Sequence, residues 1–163
     1  MNSNDDENSE NFWDDFSDDD DNNDEFERER EDFTKFPLYL KAMKIFEVVE
    51  ALCVSLEGRD KEMYSNNLRQ SAMMIPAKIA GACGSGSWLI CMQNAAIIRE
   101  HAQFLHTATS GLKAMTKADK NYIKVLRTEM EEFRDMFNQW VTSFALLERE
   151  EYEDEWGLFI RPA

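Results

Sequence analysis

From about residue 37 onward, apolar side chains recur every three or four positions, the spacing of helices with one buried face. A first helix is predicted near 37–57, with Ala42, Ile45, Val49, Leu52 and Leu56 on one stripe. Pro37 suits its first turn, where a missing N–H costs nothing, and Gly58 ends it. A second helix is predicted near 60–82 on the stripe Tyr64, Leu68, Ala72, Ile75, Ile79 and Ala82, with Asp60 as its cap. Pro76 interrupts the backbone hydrogen bonding, but the stripe continues in phase beyond it, which predicts a bend and not two helices.

The run Gly84-Ser85-Gly86-Ser87 breaks the pattern. A third helix follows near 87–115, capped by Ser85 or Ser87, and it carries two apolar stripes. One is Cys91, Ala95, Ile98, Ala102, Leu105 and Leu112; the other is Ile97, Phe104, Ala108 and Met115, broken by His101 and Gly111. A helix apolar over so much of its girth buries a second face, within the bundle or against another subunit. A fourth helix starts near 117–119, capped by Thr116 or Asp119, and runs to about 147 on Leu126, Met130, Phe133, Phe137, Trp140 and Phe144. It would be about 43 Å long. No strand pattern and no internal repeat is found. The expected fold is all-α, an up-down-up-down four-helix bundle over 33–147.

The two ends follow a different composition. Residues 1–32 hold 16 acidic residues against Arg28 and Arg30, a net charge of −14. With so much like charge and so little apolar area, this leader is expected to be disordered. Phe12, Trp13, Phe16 and Phe26 lie among the acids, a pattern that marks docking peptides. The alternative is that they fold back on the chain's own bundle. The tail 148–163 begins acidic (EREEYEDE) and turns apolar at Trp156, Leu158, Phe159 and Ile160. Large apolar side chains are worth about 1.5–3 kcal/mol each when buried, so the tail is expected to dock on the bundle or on a partner.

Charge changes the reading of the middle. The whole chain carries −15, yet residues 33–147 hold 11 acids and 14 bases, a net of +3. A mildly basic bundle is therefore expected between two acidic ends. Cys53, Cys83 and Cys91 all lie in apolar stretches, which suits free thiols in a reducing compartment. The N-terminus has neither the basic nor the apolar segment of a signal peptide, and no run approaches the ~20 apolar residues of a membrane span. A cytoplasmic protein is the expectation.

Catalytic chemistry finds little support. His101 and His106 are five residues apart, about 140° around a helix, and cannot share a metal as an i,i+4 pair does. Cys83 and Cys91 match no zinc spacing. The Gly81–Ser87 loop opens a helix as a phosphate loop does, but lacks the lysine and follows a helix instead of a strand. Glu129, Glu131, Glu132 and Asp135 crowd one helix without an ExxH partner, so no di-iron site is indicated. Neither an enzyme nor a cofactor is expected.

One charge pattern points to binding. Lys113, Lys117, Lys120, Lys124, Arg127 and Arg134 recur at steps of three, four or seven. A basic stripe of this kind can follow a phosphate backbone. It also describes an ordinary solvated helix face, on which Glu131 would pair with Arg127 at i,i+4.

Residues 68–82, LRQSAMMIPAKIAGA, with the Gly/Ser turn after them, resemble a bacterial family signature. In that signature a Gln leads to small residues, an Ile-Pro pair and then Asn-Ile-Ala-Glu-Gly. Gln70, Ala72, Ile75-Pro76 and Ile79-Ala80 fit; Lys78, Gly81 and Ala82 stand where the family has Asn, Glu and Gly. The family comprises four-helix-bundle proteins encoded in intervening sequences of large-subunit ribosomal RNA genes. It is related to the accessory variability determinant of diversity-generating retroelements. The resemblance spans about 37–146. It implies an up-down bundle in a ring-like homo-oligomer without catalysis. The retroelement relative is strongly basic and binds nucleic acid and a reverse transcriptase.

Two functional expectations follow. One is a non-catalytic oligomeric scaffold that recruits an unknown protein partner through acidic-aromatic ends, with Phe12, Trp13, Phe16, Trp156, Leu158 and Phe159 as docking residues. The other is a nucleic-acid-binding accessory protein that uses the fourth helix's basic stripe, gated by the acidic leader.

Overall fold

The computed structural model describes residues 33–149. The docking residues of the leader and tail lie outside that range. The described residues form four helices: α1 (Pro37–Ser55), α2 (Gly58–Ala82), α3 (Trp88–Met115) and α4 (Lys120–Ser143). A 3-10 turn, Phe144–Leu146, follows α4. No strand occurs among the described residues, and the fold is an all-α four-helix bundle.

Links this short leave each helix no choice but to run back along its predecessor. Cross-helix contacts show the register. Arg69 meets Glu50 between α1 and α2, His101 meets Ser71 between α2 and α3, and Arg127 meets Thr109 between α3 and α4. Phe36, just before α1, lies 6.4 Å from Trp140 near the end of α4, so the first and last helices are antiparallel too. Each helix packs closely on two neighbours, and the backbones of the diagonal pairs lie farther apart. The seam between α3 and α4 is the thinnest of the four.

The predicted stripes supply most of the core. Ala42, Ile45, Val49, Leu52, Leu68, Ile75, Ile79, Ile98, Leu105, Leu112, Leu126 and Phe133 are all buried. Leu38, Val48, Cys53 and Ile123 join them on the margins of the same faces. A smaller cluster forms where Phe144 packs with Ala82, Cys91 and Ala95.

The helix ends differ from the expected ones in physically readable ways. Helix α1 stops at Ser55, where the Ser55 hydroxyl donates to the Leu52 carbonyl at 2.7 Å. Gly58, with φ of +54°, starts α2 in the left-handed region that a Cβ disfavours. Glu57 occupies the cap position, and Asp60 sits in the first turn instead of capping. Helix α2 runs unbroken through Pro76, which is buried. Ser87 caps α3, accepting from the Ile90 amide at 3.3 Å. Asp119 caps α4, accepting from the Asn121 amide at 2.8 Å. Helix α4 ends at Ser143 rather than 147, because the 3-10 turn tucks Phe144 into the smaller cluster.

The second stripe of α3 is only partly used within the bundle. Ala108 packs on the core and Ile97 is half-buried. Phe104 remains 42% exposed and Met115 76% exposed. His101, which interrupts that stripe, is satisfied by Ser71 of α2 at 3.2 Å.

Candidate functional site

Charge is distributed unequally over the bundle. On the α1–α4 side, Lys41 donates to Glu129 at 2.8 Å and also to Glu132. These hydrogen bonds, Glu129 first, hold the Lys41 ammonium above the ordinary lysine pKa. Between α1 and α2, Arg69 donates to Glu50 at 2.8 Å, and this hydrogen bond raises its pKa. Lys44 lies 3.3 Å from Glu47. The cations of this side are largely neutralised.

The α3–α4 side is different. Arg99, His106 and Lys113 follow one another at seven-residue steps on α3, and so share a helix flank. Lys120, Arg127 and Arg134 do the same on α4. The two flanks face each other. Arg127 donates from Nε to Thr109 Oγ1 at 3.0 Å and from Nη2 to Ser110 Oγ at 2.8 Å. Below that crossing the helices part, leaving a groove of about 600 Å³. Arg99 and His106 line it from α3, and Glu131, Arg134 and Asn138 line it from α4. Ala102, Met130, Phe133 and Phe137 form its apolar part.

The expected basic stripe therefore divides. Lys113, Lys117, Lys120 and Lys124 are exposed and have no carboxylate partner among the described residues. Arg134 is exposed, and among the described residues its only close carboxylate is the adjacent Asp135, at 3.9 Å. Arg127 is not a free surface cation. The expected pairing with Glu131 is replaced by the two hydroxyls of α3, because Arg127 points across the seam. Thr109 is fully buried and itself donates to the His106 carbonyl at 2.6 Å, so Arg127 is part of the scaffold.

Arg99 and His106 were missing from the sequence-derived stripe, although their seven-residue spacing to Lys113 was a usable signal. What hid them was the need to know that α3 and α4 present these flanks to each other.

The other candidates do not converge. His101 and His106 lie in different seams, one against α2 and one in the α3–α4 groove. Glu129 and Glu132 are held by Lys41, while Glu131 faces the groove. Cys53, Cys83 and Cys91 form no disulfide. Burial pushes the Cys53 thiol pKa up. Among the described residues, no group of three or more His, Cys, Asp or Glu is placed to hold a metal ion. At the Gly81–Ser87 loop the Ser87 side chain accepts from the Ile90 amide, one of the first-turn donors of α3. No described helix is long and apolar enough to cross a membrane.

No protein-family profile matches the chain, and no curated protein sequence matches it. The groove has a cationic rim and an apolar interior, with Glu131 as its one carboxylate among the described residues. Such an arrangement suits an anionic ligand that also carries bulky apolar groups.

Proposed function

We propose that this chain is a non-catalytic interaction protein whose α3–α4 face receives acidic-aromatic segments. One observation carries the reading. Apart from the 3.9 Å contact of Arg134 with its neighbour Asp135, the cations of this face have no carboxylate partner among the described residues and lie beside an apolar-lined groove, whereas Lys41 and Arg69 of the α1 side are paired. Both ends of the chain have the matching composition, aromatic residues set among acids. An end of one copy engaging the groove of another would produce a homo-oligomer. The family resemblance of residues 68–82 and the exposed Phe104 and Met115 also favour self-association.

The second reading is a nucleic-acid-binding accessory protein gated by the acidic leader. Lys113, Lys117, Lys120 and Lys124 favour it, since they crowd the bundle end where α3 turns into α4. The two readings separate in one titration series. The full chain is mixed with polyglutamate, a peptide of acidic-aromatic composition, and single- and double-stranded oligonucleotides, each at two salt concentrations. Selective binding of the acidic-aromatic peptide, lost on Arg134→Glu, supports the first reading. Oligonucleotide binding that falls steeply with salt, and tightens when Asp18, Asp19 and Asp20 become Asn, supports the second. No binding in any arm removes both. Light scattering on the same samples tests self-association, and a strict monomer at high micromolar concentration removes the oligomer.

A further inference from the structure

We propose that the α3–α4 groove is the seat of the chain's own C-terminal segment. In this arrangement Trp156, Leu158 and Phe159 lie on its apolar part and the acids of 150–155 beside Arg99 and Arg134. The proposal rests on the reading of this face as a receptor for acidic-aromatic segments, and names the first such segment to occupy it.

The point of departure of the chain supports it. Phe144 is buried against Cys91 and Ala95 near the start of α3. Five residues later, the Arg149 guanidinium lies 5.0 Å from the centroid of the Trp88 ring, a cation–π contact with the first residue of α3. The chain is thus delivered to the seam between the beginning of α3 and the end of α4. The groove begins beyond this point, between Arg99 and Asn138.

Length and charge agree. Gln103, midway along the groove, lies fifteen residues up α3 from Trp88, about 22 Å. Trp156 follows Arg149 by seven residues, which span at most about 23–25 Å when extended. A tail folding back along the seam places Trp156 at the middle of the groove, with Leu158 and Phe159 just beyond. The intervening stretch EEYEDE holds five carboxylates and passes Arg99 and Arg134 on the way. The groove volume of about 600 Å³ lies within the range that encloses small ligands. A tethered segment holds such a site at an effective concentration that an untethered competitor must overcome.

The test uses a fluorescent peptide of residues 150–160 titrated onto two forms of the full chain, unmodified and with Trp156→Ala, Leu158→Ala and Phe159→Ala together. A thermal melt of each form checks that the bundle stays folded. The expected result is binding about ten-fold or more tighter by the triple variant. Adding Arg134→Glu, or separately Arg99→Glu, to the triple variant abolishes it. Equal affinity for both forms overturns the proposal while leaving the receptor reading standing. A difference that appears only at high protein concentration also overturns it, since the tail then fills a neighbour's groove. No peptide binding by either form overturns the proposal too; the receptor reading is then judged by the separate acidic-aromatic titration above.

Discussion

The guanidinium of Arg127 donates to the hydroxyl of Thr109, a residue with no exposed surface, and so bolts α4 to α3 at the upper edge of the groove. A hydrogen bond from a charged donor contributes about 1.5–3 kcal/mol. Arg127→Ala is expected to lower unfolding free energy by about 1–2 kcal/mol, since Thr109 keeps its bond to the His106 carbonyl. Lys120→Ala and Lys124→Ala are expected to stay within about 0.5 kcal/mol of the parent, because both side chains are exposed and neither is held by a described residue. Urea denaturation of the three variants checks the division.

Ser65 presents the opposite case. Its side chain is buried, and its Oγ has no hydrogen-bond partner among the described residues. A buried hydroxyl without a partner costs about 1–3 kcal/mol. Ser65→Ala is expected to leave the bundle as stable as the parent or up to about 1 kcal/mol more stable, read from the denaturation midpoint.

Lys41 makes alkaline stability directional. Its pKa is raised in the folded state by hydrogen bonds to Glu129 and then Glu132. A raised folded pKa means stabilisation that is complete below the unfolded value, about 10.4, and is lost as pH climbs through the folded value. The parent is expected to lose stability above about pH 10.4, and Lys41→Met to lose less over the same window. Thermal melts from pH 9 to 12 give the comparison.

Phe133 belongs both to the core and to the groove wall. It is 1% exposed, and its ring stacks on that of Phe137 at a centroid distance of 6.0 Å. Phe133→Ala is expected to cost about 3–5 kcal/mol through the cavity it leaves. Phe137→Ala, at a half-buried position, is expected to cost less and to weaken binding of aromatic-containing acidic peptides. Calorimetry and peptide titration on the two variants distinguish the roles.

The bundle was legible in the sequence because periodicity reports burial directly. The stripes through Ile45, Ile75, Ile98 and Leu126 needed only the helical repeat to be placed inside. Ser87 and Asp119 were each one of two caps the sequence offered, since a short oxygen-bearing side chain before an apolar run can accept from a first-turn amide, while Asp60 of the same type sits inside its helix instead. The end of α4 was less legible. Phe144 continues the stripe in sequence, but it reaches its pocket through a 3-10 turn whose cause is the distant pair Cys91 and Ala95. The candidate site was half legible for a similar reason. Spacing found the cations of α4, but only the packing shows that Arg127 is spent on Thr109 and that Arg99 and His106 complete the face.

The α3–α4 face as the receptor for anionic partners is tested most directly by amide chemical-shift mapping on the full chain. An acidic-aromatic peptide is titrated in at low salt. Shifts concentrated on Arg99–Lys113 and Lys120–Asn138 are the predicted result. Shifts concentrated on the outer faces of α1 and α2, around Leu40 and Met73, would contradict it.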